Sequence, residues 1–301
     1  MSGWAPPEAA LFSRPAPPAG SGSRSISLSG LIIVLDGLDP DAEAFVAHRF
    51  RRYLLEARPP KADLQVEFFR SDAAPYLDRP PDHSPDSIYR MQHAVRDEEL
   101  FYTSGTVCAR LDLRTGRATA LTRPRTGTLA IDDPTHMAME NLLRPFLAWT
   151  VLLKGGFMLH AASVVRDGRC YLFFGNSGAG KSTIAAICGG QVISDDLTMV
   201  LPEGDGYSAI GSPFRGTYTA CEDLTGRYPV VGLYRLRKDT RVFVETPVRA
   251  IAFSEFVANL PFVVGEIDNH PAAWPLVRAA FEKLPVTYLH FRKDDSFWAV
   301  I

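Results

Sequence analysis

The sequence predicts an α/β fold for its second half, preceded by a smaller, strand-rich α+β region, and three observations carry that expectation. An apolar run, Cys170-Tyr171-Leu172-Phe173-Phe174, leads through a glycine-rich segment into the helix-like residues 183–188. Short apolar runs alternate with segments of helical periodicity on both sides of it. A chain of 301 residues with 46% hydrophobic content can also build one large core or two modest ones.

Along the chain, residues 1–25 are rich in Pro, Ala, Gly and Ser and read as a disordered tail. Residues 26–135 form the strand-rich region, for which the sequence offers no role. Residues 31–35 read as a strand and 41–57 as a helix, with Ala44, Phe45, Ala47, Phe50 and Leu54 roughly on one face. Residues 64–69 alternate like a half-buried strand. Four prolines make 75–85 a loop, and 106–121 read as a hairpin turning at Arg114-Thr115-Gly116. A helix over 141–153 would hold Pro145 in its first turn, where its missing N–H costs nothing.

The nucleotide-binding region is expected at 140–301. Beyond the glycine-rich segment it continues with strands at 192–194 and 197–201, a turn at 204–206 and a loop at 211–216. Helices are expected at 254–260 and 272–283, and strands at 286–291 and 297–300.

The net charge of −2, with acids and bases interleaved, gives no footprint for nucleic acid or an anionic membrane. Cys108, Cys170, Cys188 and Cys221 lack disulfide-framework spacing and read as reduced thiols of a cytoplasmic protein. The start of the chain lacks a secretory pattern. The longest apolar stretch, 146–165, is broken by Lys154, Gly155, Gly156 and His160, which suits a buried helix–turn–strand rather than a membrane span.

Gly175, Asn176, Ser177, Gly178, Ala179, Gly180, Lys181, Ser182 and Thr183 complete the pattern G-x-x-x-x-G-K-[ST]. Between a strand and a helix, such a loop turns backbone N–H groups inward as a nest for phosphate oxygens. Lys181 would reach the β- and γ-phosphates and the Ser182 hydroxyl would ligate Mg²⁺. Only six of the 32 basic residues are lysines, so a lysine at this position carries weight. The chemistry expected is binding of a nucleoside triphosphate, with ATP and Mg²⁺ as the pair.

Asp195 and Asp196 end the strand at 192–194, where acids can divide two tasks, one on the metal and one accepting a hydroxyl proton. His160 lies fifteen residues before Gly175, on a strand expected beside the one feeding the loop. Arg215, in a glycine-bounded loop, could contact phosphate or an acidic substrate group. Arg235, Arg237, Lys238 and Arg241 read as a solvated strand edge. Phe297 and Trp298 read as terminal core rather than a base-stacking platform.

Three blocks, Met158-Leu159-His160-Ala161-Ala162-Ser163, the run 172–183 and Ile193-Ser194-Asp195-Asp196, together resemble the HPr kinase/phosphorylase catalytic domain and its shorter kinase relatives. They are also similar to phosphoenolpyruvate carboxykinase, whose nucleotide-binding fold those kinases share. The resemblance covers roughly 140–301 and implies a carboxykinase-like P-loop domain with a mixed sheet. It implies roles for His160 as active-site histidine, Lys181 as catalytic lysine, Ser182 as magnesium ligand, Asp196 as proton acceptor and Asp195 as its acidic neighbour. The family's Glu-x-Arg-Gly block would fall at Pro213-Phe214-Arg215-Gly216, where the glutamate is missing, and the spacing from Lys181 to Asp196 is shorter. Both departures speak against a phosphorylase activity and against HPr as the substrate.

The activity expected is ATP- and Mg²⁺-dependent phosphorylation of a hydroxyl, foremost a serine of a protein or peptide. A small-metabolite kinase using the same residues, and a nucleotide-binding regulator without turnover, are the alternatives. No nucleic-acid or membrane partner is expected, and a homo-oligomer is left open.

Overall fold

The computed structural model describes residues 4–13, 16–78, 90–123, 137–214, 216 and 225–301. The protein is a mixed α/β chain with two mixed sheets and, among the described residues, five α-helices. It divides into two compact units, Met1–Thr150 and Val151–Ile301.

The first unit holds β1 (Gly22–Leu28), β2 (Leu31–Leu38), β3 (Leu64–Arg70), β4 (Met91–Arg96), β5 (Glu99–Ser104), β6 (Val107–Asp112) and β7 (Arg117–Thr122). They form one sheet in the order β1-β2-β3-β7-β6-β5-β4. The β2–β3 and β3–β7 pairs are parallel and the others antiparallel. Residues 1–25 are not structureless throughout. Ala19 is buried, its N–H donates to Phe68 O, and Arg70 donates from its backbone N–H to Pro17 O and from Nε to Ala19 O. Composition alone misses a tail whose backbone bonds are satisfied by a distant strand.

Helix α1 (Pro40–Arg49) starts where its caps dictate: Asp39 accepts from Ala42 N–H and Pro40 takes the first turn. It stops at Arg49, short of the expected 57. Beyond it Ser27 N–H bonds Tyr53 O and Leu55 N–H bonds Ser25 O, so the chain pairs along β1 instead of continuing the helix. Helix α2 (Met137–Leu153) begins earlier than expected, which leaves Pro145 in its interior rather than its first turn. Glu140 on α2 is fully buried between Arg144 Nη2 and Arg49 Nε, each at 2.8 Å.

In the second unit β8 (Phe157–Arg166) and β9 (Arg169–Phe174) form a hairpin whose turn, Asp167-Gly168, has both residues at positive φ. Then come α3 (Lys181–Ile187), β10 (Gln191–Ser194), β11 (Leu197–Glu203), β12 (Gly206–Ile210), β13 (Arg227–Lys238) and β14 (Phe243–Glu245). Helices α4 (Arg249–Ala258) and α5 (Ala273–Lys283) follow, and β15 (Val286–Phe291) completes the sheet. Two long strands change partners along their length. β8 pairs with β11 over 157–160 and with β9 over 161–166, while β13 pairs with β12, then β9, then β15. With β11–β12 pairing, the path β8-β11-β12-β13-β9 closes on itself. β9, β13 and β15 run parallel, so their C-terminal ends share one edge. Ile184, Ala185 and Cys188 press α3 onto Ala162, Val164, Phe173, Leu236, Leu289 and Phe291.

The expected strand at 297–300 is instead a 3-10 helix, Asp295–Ala299, capped by the Asp294 side chain; Phe297 is fully buried beneath it. The expected solvated edge holds only in part: β13 lies inside the sheet, with Arg235 buried and Arg237 half-buried, while Lys238 and Arg241 are exposed. Cys108, Cys170 and Cys188 are buried free thiols, and burial pushes Cys108 up to about 11. No helix among the described residues is long and apolar enough to cross a membrane.

Candidate functional site

Strand register gathers the residues singled out in the sequence. Ala161 stands opposite Phe174, Leu197 opposite His160, and Arg235 opposite Phe174. The glycine-rich loop leaving β9, the Asp195-Asp196 link between β10 and β11, and His160 on β8 therefore meet at one end of the sheet.

The loop can adopt its path because Gly175, Gly178 and Gly180 take φ of 150°, 77° and 111°, where a side chain is strained. Two of them also admit close neighbours. A Cβ on Gly175 would lie 2.4 Å from Arg235 Nη1, and one on Gly180 would lie 2.6 Å from Phe291 Cζ. The turn closes with Ala179 N–H on Asn176 O, and Ile184 N–H on Gly180 O begins α3. Asn176, Ser177, Gly178 and Ser182 face solvent, while Ala179, Gly180 and Thr183 are half-buried.

Lys181 is only 9% exposed, and its Nζ donates to Gly175 O at 2.8 Å, bracing the loop across its mouth. Burial lowers its pKa, the Asp196 charge opposes that shift, and Arg235 adds to it. Asp196 Oδ1 lies 3.5 Å from His160 Nε2. The backbone holds the pair: Ala161 N–H donates to Asp196 O, Asp196 N–H to Ser194 Oγ, and His160 N–H to Asn259 O. Burial foremost, then the charge of Lys181, lowers the His160 pKa, with Asp196 and Asp195 opposing; the neutral imidazole is favoured. His160, Lys181 and Asp196 thus share one electrostatic neighbourhood.

Asp195 is 5% exposed, and its Oδ1 accepts the Gly216 N–H at 2.8 Å. It anchors the loop after β12 as well as standing beside the proton-acceptor candidate. Arg215 lies outside the described residues. Among the described residues no group of three His, Cys, Asp or Glu side chains could hold a metal ion. A Mg²⁺ ion here would rest on the Ser182 hydroxyl, Asp195, phosphate oxygens and water, as suits an ion that keeps much of its hydration.

The sequence expectation places Arg235 on a solvated edge, whereas it is 5% exposed and lies beside the loop; Glu255 and Asn259, on and just after α4, are not singled out by the sequence. A signal existed: Arg235 sits between Tyr234 and Leu236 in a long, mostly apolar run, which fits a buried strand better than an edge. No protein-family model matches this chain, and no curated protein matches it.

Proposed function

We propose that this chain is an ATP- and Mg²⁺-dependent kinase that phosphorylates a hydroxyl, foremost a serine of a protein or peptide. In this reading its second unit is a carboxykinase-like P-loop domain of the HPr kinase-related type. The observation that carries the reading is the complete phosphate loop between β9 and α3 with the His160–Asp196 pair beside it. Three glycines at positive φ give the loop the tight path that a phosphate cradle requires, and the exposed Ser182 hydroxyl fits a magnesium ligand. When bound, the metal supplies positive charge to the phosphate oxygens.

The chain's own residues do the rest. Asp196 accepts the proton of the acceptor hydroxyl as that oxygen bonds to the γ-phosphorus and the bond to the β–γ bridging oxygen breaks, releasing ADP. His160, held neutral, orients Asp196, and Lys181 moves from Gly175 O to the transferring phosphoryl group. The test is transfer of labelled γ-phosphate to a panel of proteins, peptides and small hydroxyl compounds. Asp196→Asn is expected to lower transfer by about 10²–10⁴-fold while nucleotide binding persists. Undiminished transfer by that variant would refute the mechanism. Phosphorylation of small compounds alone would move the acceptor class to metabolites.

A second reading, a nucleotide-binding regulator without turnover, is favoured by two facts. Asp195 is already engaged by Gly216 N–H, and no glutamate stands at 213–216. Binding without transfer or hydrolysis across the panel would select it.

A further inference from the structure

We propose that Arg235 is a positioning residue for the phosphate loop, tied to α4 through Glu255, so that one helix holds both the loop and the His160–Asp196 pair. The inference rests on the nucleotide-binding reading of the loop and deepens it.

Parallel pairing with β9 sets Arg235 level with Phe174, the last strand residue before the loop. From there its guanidinium reaches around the strand end. Nη2 lies 3.5 Å from Asn176 Oδ1, Nη1 donates to Leu236 O at 3.0 Å, and Nε forms an ion pair with Glu255 Oε1 at 3.3 Å whose geometry makes no hydrogen bond. The first glycine of the loop is required by this approach, since a Cβ at Gly175 would collide with Nη1.

Glu255 is shared. Arg237 Nη2 also reaches its Oε1 at 3.0 Å, and Tyr288 donates its hydroxyl to Oε2 at 2.7 Å. Two guanidinium groups thus face one carboxylate, so Glu255 offsets only part of their charge, and the buried one, Arg235, reaches the loop at Asn176, where a bound polyphosphate would add negative charge. One turn beyond Glu255, Asn259 Nδ2 bonds Glu255 O while Asn259 O accepts the His160 N–H. The loop and the acid–base pair are therefore braced against the same helix.

The experiment reads the loop first without any nucleotide. Hydrogen exchange over residues 176–184 of the full chain should quicken by about tenfold in Arg235→Gln, with the first unit's sheet unchanged. Arg235→Lys keeps the charge but cannot bridge Glu255 and Asn176 at once, so its loop should stay fast. Glu255→Gln, which leaves Arg235 in place, should quicken the same peptide by less. ATP affinity should then fall about tenfold in Arg235→Gln and recover in part in Arg235→Lys. Wild-type exchange over 176–184 in Arg235→Gln and Glu255→Gln overturns the positioning role, as does full recovery of loop protection by lysine. Wild-type protein that binds no nucleotide overturns the kinase reading alone, because the exchange result stands without it.

Discussion

Replacing Gly180 by alanine tests how the glycine-rich loop is built. Gly180 holds φ 111° and ψ 18°, and an added Cβ would come 2.6 Å from Phe291 Cζ. A left-handed conformation costs an L-residue about 1–2 kcal/mol. Forcing a methyl into the buried ring of Phe291 adds about 1–3 kcal/mol, for a total of about 2–5 kcal/mol. Gly178 provides the comparison: its φ is 77°, yet a Cβ there meets nothing within 4 Å. Gly178→Ala should therefore cost only the backbone share, about 1–2 kcal/mol. Urea unfolding of the full chain, with hydrogen exchange at residues 184–187, measures both. Combining Gly180→Ala with Phe291→Leu should recover about 1–3 kcal/mol relative to additivity, since the shortened side chain vacates the clash. A Gly180→Ala chain no less stable than Gly178→Ala, or strict additivity with Phe291→Leu, would refute the reasoning.

Two other expectations follow from buried charge. Glu140→Ala removes the carboxylate that Arg49 and Arg144 share and should destabilise the first unit by about 3–5 kcal/mol, read as an earlier urea transition. For His160, burial and Lys181 place the folded pKa below the unfolded value of 6.5. The folded state then binds fewer protons than the unfolded state. The group's contribution to stability is complete above about 6.5 and is lost as pH falls through the lower folded value. Relative to His160→Gln, the wild type should lose stability between pH 7.5 and 5, measured as urea midpoints at each pH; a wild-type gain on acidification would contradict the sign.

What could be read in the sequence was local. The strand–loop–helix at 169–187 announced itself because glycine positions, a lysine and an apolar run sit next to one another. The hairpin of β6 and β7 was legible for the same reason. The β4–β5 hairpin was not, because its turn residues, Asp97 and Glu98, take positive φ without a glycine to mark them. Helix α1 was overextended because its apolar spacing continues to Leu54, while the bonds that end it come from β1. In the sequence the strand carrying Arg235 reads as an edge, because its partners β9, β12 and β15 lie far away in the chain. His160, Lys181, Asp195 and Asp196 could be singled out from motif and spacing, and a helix was expected at 254–260; its start at Arg249 and the contact of its Glu255 with Arg235 could not be read.

The partner-changing sheet of the second unit leaves few places for a foreign chain to attach by backbone pairing. Its outer strands, β10 and β14, are four and three residues long, while the long strands β8 and β13 each pair with three other strands. Among the described residues this unit offers a peptide no extended rim on which to add itself as another strand. If the proposed transfer takes a peptide as acceptor, its recognition would fall to side chains around the glycine-rich loop rather than to backbone pairing.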